Sequence, residues 1–129
     1  MRKILILLLS PILMATQCDD DDRDEVVSTE FFIVNNSSVN LTYTNYMDEV
    51  LTIESNSSEY IGLSLNSDSS VPPSANTDLP NIVLFANDDQ GELVQVYVQD
   101  PIDDGLWQQE TQNNFLTHYE LEITDEILE

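Results

Sequence analysis

Two groups of acidic residues are the part of the sequence best suited to binding a metal ion. They bracket a candidate strand at residues 93–99 and comprise Asp88, Asp89 and Glu92 before it and Asp100, Asp103 and Asp104 after it. Carboxylate oxygens in flexible loops suit Ca²⁺, so each group is a candidate calcium site. A strand of this length spans about 23 Å, so the two groups cannot share one ion. Neither group matches the D-x-[DN]-x-[DN]-G loop, and the alternative is that both simply form polar turns.

The sequence offers little for catalysis. His118 is the only histidine, and its place two residues before Glu120 in a candidate strand predicts a surface residue rather than a general base. The motifs G-x-S-x-G and H-E-x-x-H and the phosphate-binding P-loop are absent. Paired carboxylates hydrolyse glycosides in many enzymes, but 25 acidic residues in a short chain make chance pairs expected. We therefore expect a protein that is not an enzyme.

Four aromatic residues are candidates for ligand contacts. Tyr46, Tyr60 and Tyr97 fall on the apparent outer phase of their strands, and Trp107 follows a turn. Exposed aromatic side chains of this kind stack on sugars or bind protein. The alternative is that they form cross-strand pairs on a half-exposed sheet.

The N-terminus has the organisation of an export signal. Arg2 and Lys3 precede an apolar run at residues 4–15, which is shorter than the roughly 20 residues of a membrane-spanning helix and fits a signal-peptide core. The single cysteine, Cys18, follows this run and excludes both an intramolecular disulfide and a cysteine-based metal cluster.

Residues 1–22 resemble the start of a bacterial lipoprotein. The matching residues are Met14-Ala15-Thr16-Gln17-Cys18, and the run Asp19-Asp20-Asp21-Asp22 is similar to the acidic export tag of Bacteroidetes surface lipoproteins. The resemblance implies that Cys18 is multiply acylated, which anchors a protein stably in a membrane. It also implies display on the outside of the outer membrane, although the acidic run could be a spacer without a sorting role. The predicted divisions are a signal peptide (1–17), a tether (18–25) and one domain (26–129).

The charge distribution limits the partners. All 25 acidic residues follow Cys18, together with only one basic residue, Arg23, so the mature chain has a formal charge of −24. Such a chain lacks the cations that neutralise nucleic-acid phosphates or anionic lipid headgroups. A basic partner remains compatible with this charge, and the alternative is that the charge only keeps the protein soluble.

The hydrophobic pattern has a period of two and predicts short strands. The expected strands lie at residues 29–34, 39–46, 51 to about 56, 61–65, 81–86, 93–99 and 118–124. Their predicted core rows include Ile61, Leu63 and Leu65, and Val94, Val96 and Val98. Residues 66–80 and 108–114 are predicted to be polar loops, and Trp107 is expected to pack at an edge.

The fold predicted from this pattern is all-β, an antiparallel β-sandwich of about seven strands, either immunoglobulin-like or jelly-roll. A small closed barrel is the alternative. Residues 99–107 and 119–128 also resemble small uncharacterised lipoproteins of the same bacteria, a likeness that implies no activity.

Two function classes follow. One is a surface-anchored, non-catalytic binding module for a glycan or protein, with the outward aromatic residues as contacts. The other is a structural or protective lipoprotein, including an immunity-type protein that captures a basic protein through its acidic surface. Salt-insensitive sugar binding would indicate the first, and steeply salt-dependent protein binding the second.

Overall fold

The computed structural model describes residues 25–129. The predicted signal peptide, Cys18 and the run Asp19-Asp20-Asp21-Asp22 lie outside these residues.

Eight strands form two sheets packed face to face, which confirms the all-β sandwich with one strand more than expected. The strands are β1 (Val27–Asn35), β2 (Leu41–Thr44), β3 (Val50–Ile53), β4 (Ser57–Asn66), β5 (Ile82–Asn87), β6 (Leu93–Gln99), β7 (Trp107–Asn113) and β8 (Leu116–Ile123). Sheet 1 has the order β4-β1-β8-β7 and sheet 2 the order β3-β2-β5-β6. Two separate sheets with free edges exclude the closed barrel.

One strand pair departs from the antiparallel prediction. β1 pairs with β8 in parallel, although every other pair in both sheets is antiparallel. The first and last strands of the domain therefore lie together in the middle of sheet 1.

Alternate side chains of both sheets build the core. Its fully buried apolar members are Phe31, Ile33, Leu41, Ile53, Ile82, Leu84, Leu121 and Ile123. Phe31 stacks on Tyr119 with ring centroids 5.9 Å apart and is T-shaped against Trp107 with ring centroids 6.3 Å apart. Trp107 thus lies on an edge strand, β7, as predicted, but its side chain is part of the core.

A β-bulge in β4 reverses part of the predicted core row. Phe31 pairs with Gly62 and Phe32 with Tyr60, so Ile61 is an extra residue between them. Ile61 is buried, but Leu63 and Leu65 are exposed, because one extra residue moves every later side chain to the opposite face. The prediction that all three point inward was wrong for Leu63 and Leu65.

A second bulge does the same in β6. Leu84 pairs with Tyr97 and Phe85 with Gln95, which leaves Val96 as the extra residue. Val96 is buried and Val98 is exposed, while Tyr97 packs against the core. Val94 is also exposed. The bulge therefore moves Val98 out of the predicted inward row, while Val94 keeps the inner phase opposite Ala86 although it is exposed. Tyr97 does not point outward.

β7 is the strand that the sequence did not predict, because its residues were expected to form a loop. Residues 108–113 of β7 are polar and exposed on both faces, so they show no alternation, yet they pair with β8 along the edge of sheet 1. Polar and charged side chains are typical of an edge strand, because they discourage pairing with another chain.

The predicted loop at 66–80 is confirmed, with one 3₁₀ turn at Pro73–Ala75. The second strand starts at Leu41, two residues later than expected, and Val39 is exposed.

One buried amide ties the strand connections together. The Asn35 side chain is fully buried, and its Nδ2 donates to the carbonyl oxygens of Val39, Ile53 and Glu54 at 2.9–3.1 Å. Its Oδ1 accepts from the backbone N–H and the hydroxyl of Ser37. Asn35 therefore joins the end of β1 to the β1–β2 turn and to the end of β3.

Candidate functional site

Two of the four predicted contact aromatics lie in one cleft. Tyr46, in the β2–β3 turn, and Tyr60, on β4, are 55% and 45% exposed. Both line a depression of about 330 Å³, here named the Tyr46–Tyr60 cleft. The other side chains of the cleft wall that matter here are Asn45, Met47, Glu49, Leu63 and Asp78. Aromatic and apolar surfaces therefore meet an amide and two carboxylates in one concave site.

The turn that carries Tyr46 is held by its own side chains. Oδ1 of Asn45 accepts from the backbone N–H groups of Met47 and Glu49, both at 2.9 Å. Nδ2 of Asn45 donates to the Glu49 carboxylate at 2.9 Å. Asp48 has a φ of 61°, a left-handed conformation that Asp adopts more readily than most residues. The turn thus presents Tyr46 on an ordered backbone.

Tyr60 is supported by a row of side chains on the outer face of sheet 1. Its ring is T-shaped against that of Phe32, with centroids 5.7 Å apart, and the Phe32 and His118 ring centroids are 5.3 Å apart. Nε2 of His118 lies 2.8 Å from Oε2 of Glu30 but is not aligned for a hydrogen bond with it. His118 therefore lies on the outer strand phase, as expected, and acts as a packing residue.

The surroundings of Tyr60 raise the pKa of its hydroxyl above the usual value. Burial contributes most, followed by the negative charge of Glu30 and then by Tyr46. The neutral hydroxyl is therefore favoured, and it both donates and accepts hydrogen bonds.

The other two predicted contact residues lie outside this cleft. The hydroxyl of Tyr97 accepts from Nε2 of Gln99 at 2.6 Å, and Nε1 of Trp107 donates to Oε1 of Gln99 at 3.2 Å. Trp107 is buried and Tyr97 half-buried, so this group is part of the packed interior.

The acidic groups proposed for calcium form turns. Oδ1 of Asp88 accepts from the N–H groups of Gln90 and Glu92, both at 2.8 Å, and Gly91 has the positive φ, 81°, that such a turn needs.

The second acidic group is used in the same way. Asp103 accepts from the N–H of Gly105 at 2.9 Å, and Asp104 accepts from the N–H and hydroxyl of Ser74. Asp89 and Asp100 are exposed. Among residues 25–129, no group of three or more His, Cys, Asp or Glu side chains is arranged to hold a metal ion, so neither calcium site is assembled.

A larger cleft, of about 400 Å³, lies between the end of β4 and the long loop. Its wall includes Ser64, Ser69, Val71, Asn76 and Thr77. No aromatic or charged side chain lines it, so it offers hydrogen bonds without a stacking surface, and we regard it as the weaker candidate.

Of the residues that line the cleft, only Tyr46 and Tyr60 were predicted as contact residues. Leu63 was assigned to the core because the bulge at Ile61 has no sequence signature, and Asp78 comes from a loop distant in sequence. The role of Asn45 could have been predicted from the sequence, because Asn at the start of a tight turn commonly accepts a hydrogen bond from the N–H two residues later.

Comparison with protein-family models, with curated proteins and with solved structures finds no match to this chain. Within residues 25–129, no helix combines the length and the apolar character that crossing a membrane requires.

Proposed function

We propose that this protein is a lipid-anchored surface protein whose domain binds carbohydrate non-catalytically in the Tyr46–Tyr60 cleft. The observation that carries the proposal is the meeting of two exposed tyrosines from separate segments in one cleft that also holds Glu49 and Asp78. Aromatic rings provide the apolar surface on which a sugar ring stacks, and a few convergent polar groups fix a ligand's orientation.

The charges around the cleft narrow the ligand class. Glu49 and Asp78 line it, and the charge of Glu30 reaches Tyr60. No lysine or arginine occurs in residues 25–129. An anionic sugar would meet like charges without a compensating cation, so the ligand we propose is a neutral glycan.

A binding assay with cleft variants tests the proposal. We expect a neutral oligosaccharide selected on a glycan array to bind the wild-type domain, and Tyr46→Ala and Tyr60→Ala each to weaken its binding about threefold to tenfold, because each removes one stacking surface. Isothermal titration calorimetry gives the dissociation constants.

Phe115→Ala is the matched control, because Phe115 is an exposed aromatic residue outside the cleft, and it should bind like the wild type. Failure of the wild type to bind any neutral glycan, or equal binding by all three variants, would refute the proposal. Binding that declines steeply with salt would point instead to a charged ligand.

The anchor is proposed to be Cys18. It is the single thiol of the chain and follows the export signal, and a thiol carrying several acyl chains would hold the protein at a membrane stably. Metabolic labelling with a radioactive fatty acid is expected to mark the wild-type protein in its native host and to leave Cys18→Ser unlabelled. Label retained by Cys18→Ser would show that Cys18 is not the acylated residue.

A further inference from the structure

The outer edge of β6 differs from the other strand edges of the sandwich. β6 pairs with β5 on one side, and on the other side it pairs with no strand of residues 25–129. Its sequence, Leu-Val-Gln-Val-Tyr-Val-Gln, contains no charged residue, no Pro and no Gly. Leu93, Val94 and Val98 are exposed along it. An uncharged apolar strand with an open edge is a template for pairing with another strand.

The remaining edges are protected. β7 presents polar side chains that include Glu110, and β3 has only four residues. β4 is interrupted by its bulge beside Ile61. Protein edges are commonly protected by these devices, whereas β6 has only its bulge at Val96 and one backbone hydrogen bond from Glu129.

The chain itself shows that this edge accepts a strand-like hydrogen bond. The backbone N–H of Glu129 donates to the carbonyl oxygen of Val96 at 3.0 Å. The residues on either side of this bond enclose a gap of about 130 Å³ between β6 and the segment around Ile127. One carbonyl in the middle of β6 is thus occupied by a contact that an incoming strand would replace.

The charges at both ends of β6 define the partner. Asp88, Asp89 and Glu92 precede the strand, and Asp100 and Asp103 follow it; all five are exposed. A second copy pairing antiparallel through β6 would bring the acidic group before one strand against the acidic group after the other, which like-charge repulsion opposes. A partner strand with basic residues at both ends would meet opposite charges at both ends.

We propose that the outer edge of β6 is a docking site at which an extended segment of a basic partner protein adds a fifth strand to sheet 2. Main-chain hydrogen bonds supply affinity in this mode of recognition, and alternate side chains supply specificity. The segment is about seven residues long, matching β6. Its apolar side chains lie beside Leu93 and Val98, and its lysine or arginine residues flank the apolar stretch. The site lies at the opposite edge of sheet 2 from β3 and is independent of the Tyr46–Tyr60 cleft.

A designed peptide tests the site directly. The probe is a synthetic peptide with seven alternating Val and Thr residues and two Lys at each end. Added to the isotopically labelled domain, it is expected to shift the backbone amide resonances of residues 93–99 and to slow their hydrogen exchange. The affinity should fall as salt is raised. The same peptide with Pro at its centre, which cannot form the strand pairing, and a version with Glu in place of every Lys should both fail to bind.

Val98→Lys is the decisive protein variant. Val98 is 49% exposed, so the substitution leaves the core intact, and a lysine on an edge strand opposes strand addition. It should weaken peptide binding at least about tenfold. The matched control is Val50→Lys, which adds the same charge at an even more exposed valine, 67%, on the other edge strand of sheet 2, and it should bind like the wild type.

Three results would overturn the proposal. Equal binding by the two lysine variants, or by the proline peptide, would show diffuse electrostatic attraction. Resonance shifts confined to other strands would place the peptide elsewhere. Self-association of the wild type that Val98→Lys abolishes, measured by analytical ultracentrifugation, would assign the edge to a second copy.

Discussion

Asn35→Asp is expected to lower the free energy of unfolding by about 3–5 kcal/mol at neutral pH. The substitution keeps the shape of the side chain but replaces the donating Nδ2 with a carboxylate oxygen. Nδ2 faces the carbonyl oxygens of Val39, Ile53 and Glu54, so a buried negative charge would face three acceptors. Since domains have total stabilities of about 5–15 kcal/mol, a large fraction of the variant should be unfolded at moderate urea concentrations.

Urea denaturation followed by circular dichroism measures this change, and Asn40→Asp is the matched control. Asn40 is exposed, and its side-chain bond is made by Oδ1, which accepts from the N–H of Ser55. The control adds the same charge and keeps an acceptor in place, so its stability should stay within about 0.5 kcal/mol of the wild type. Equal stability of Asn35→Asp and Asn40→Asp would show that the donor role of Asn35 is unimportant.

The effect of Asn35→Asp should depend on pH. Burial among carbonyl oxygens raises the pKa of the introduced carboxyl in the folded state above its unfolded value of about 3.9. A group with a raised folded pKa is least destabilising below the unfolded pKa, and its penalty grows as pH rises through the folded pKa. The difference in unfolding free energy between Asn35→Asp and Asn40→Asp should therefore shrink as pH falls toward 4. A difference that is constant with pH would indicate a steric cause.

Val96→Asp is expected to lower the free energy of unfolding by about 3 kcal/mol or more, because it places an unpaired carboxylate in the core. Val96 is 8% exposed and lies at the bulge of β6, where its side chain belongs to the buried cluster. The thermal unfolding midpoint, measured by circular dichroism, should fall by well over 10 °C for a domain of this size.

Val98→Asp is the control, because strict alternation and the observed register predict different burial for Val98. Strict alternation along β6 predicts that Val96 and Val98 are equally buried. The structure places Val98 on the outer face, paired with Val83, so its replacement should cost about 1 kcal/mol or less. Equally severe effects of the two substitutions would contradict the register shift.

The sequence alone predicts the fold class because alternation of apolar and polar residues is a local property that a buried sheet face imposes on every strand. β8 carries this pattern: Tyr119, Leu121 and Ile123 alternate with polar residues, and all three are buried. The polar loop between β4 and β5 was likewise visible, because prolines cannot donate to a ladder.

The two bulges mark the limit of that reasoning. The residue types around Ile61 and Val96 do not reveal that each is the extra residue of a bulge. The bulge at Ile61 nevertheless places Leu63 on the outer face of its sheet, and the bulge at Val96 does the same to Val98. Whether a strand contains a bulge depends on the partner strand and on the packing beneath it. β7 shows the same dependence, since its polar residues form a strand only because β8 supplies the hydrogen-bonding partners.

Some properties of the site were likewise predictable from the sequence, and others depend on the tertiary structure. The composition of the chain determined the strongly acidic surface and the scarcity of cations, because charge is counted without knowing where residues lie. The sequence also identified Tyr46 and Tyr60 as exposed aromatics. That they share a cleft with Asp78, while Tyr97 and Trp107 join Gln99 in the interior, was decided by the tertiary structure, because residues distant in sequence become neighbours only when strand order and register are fixed.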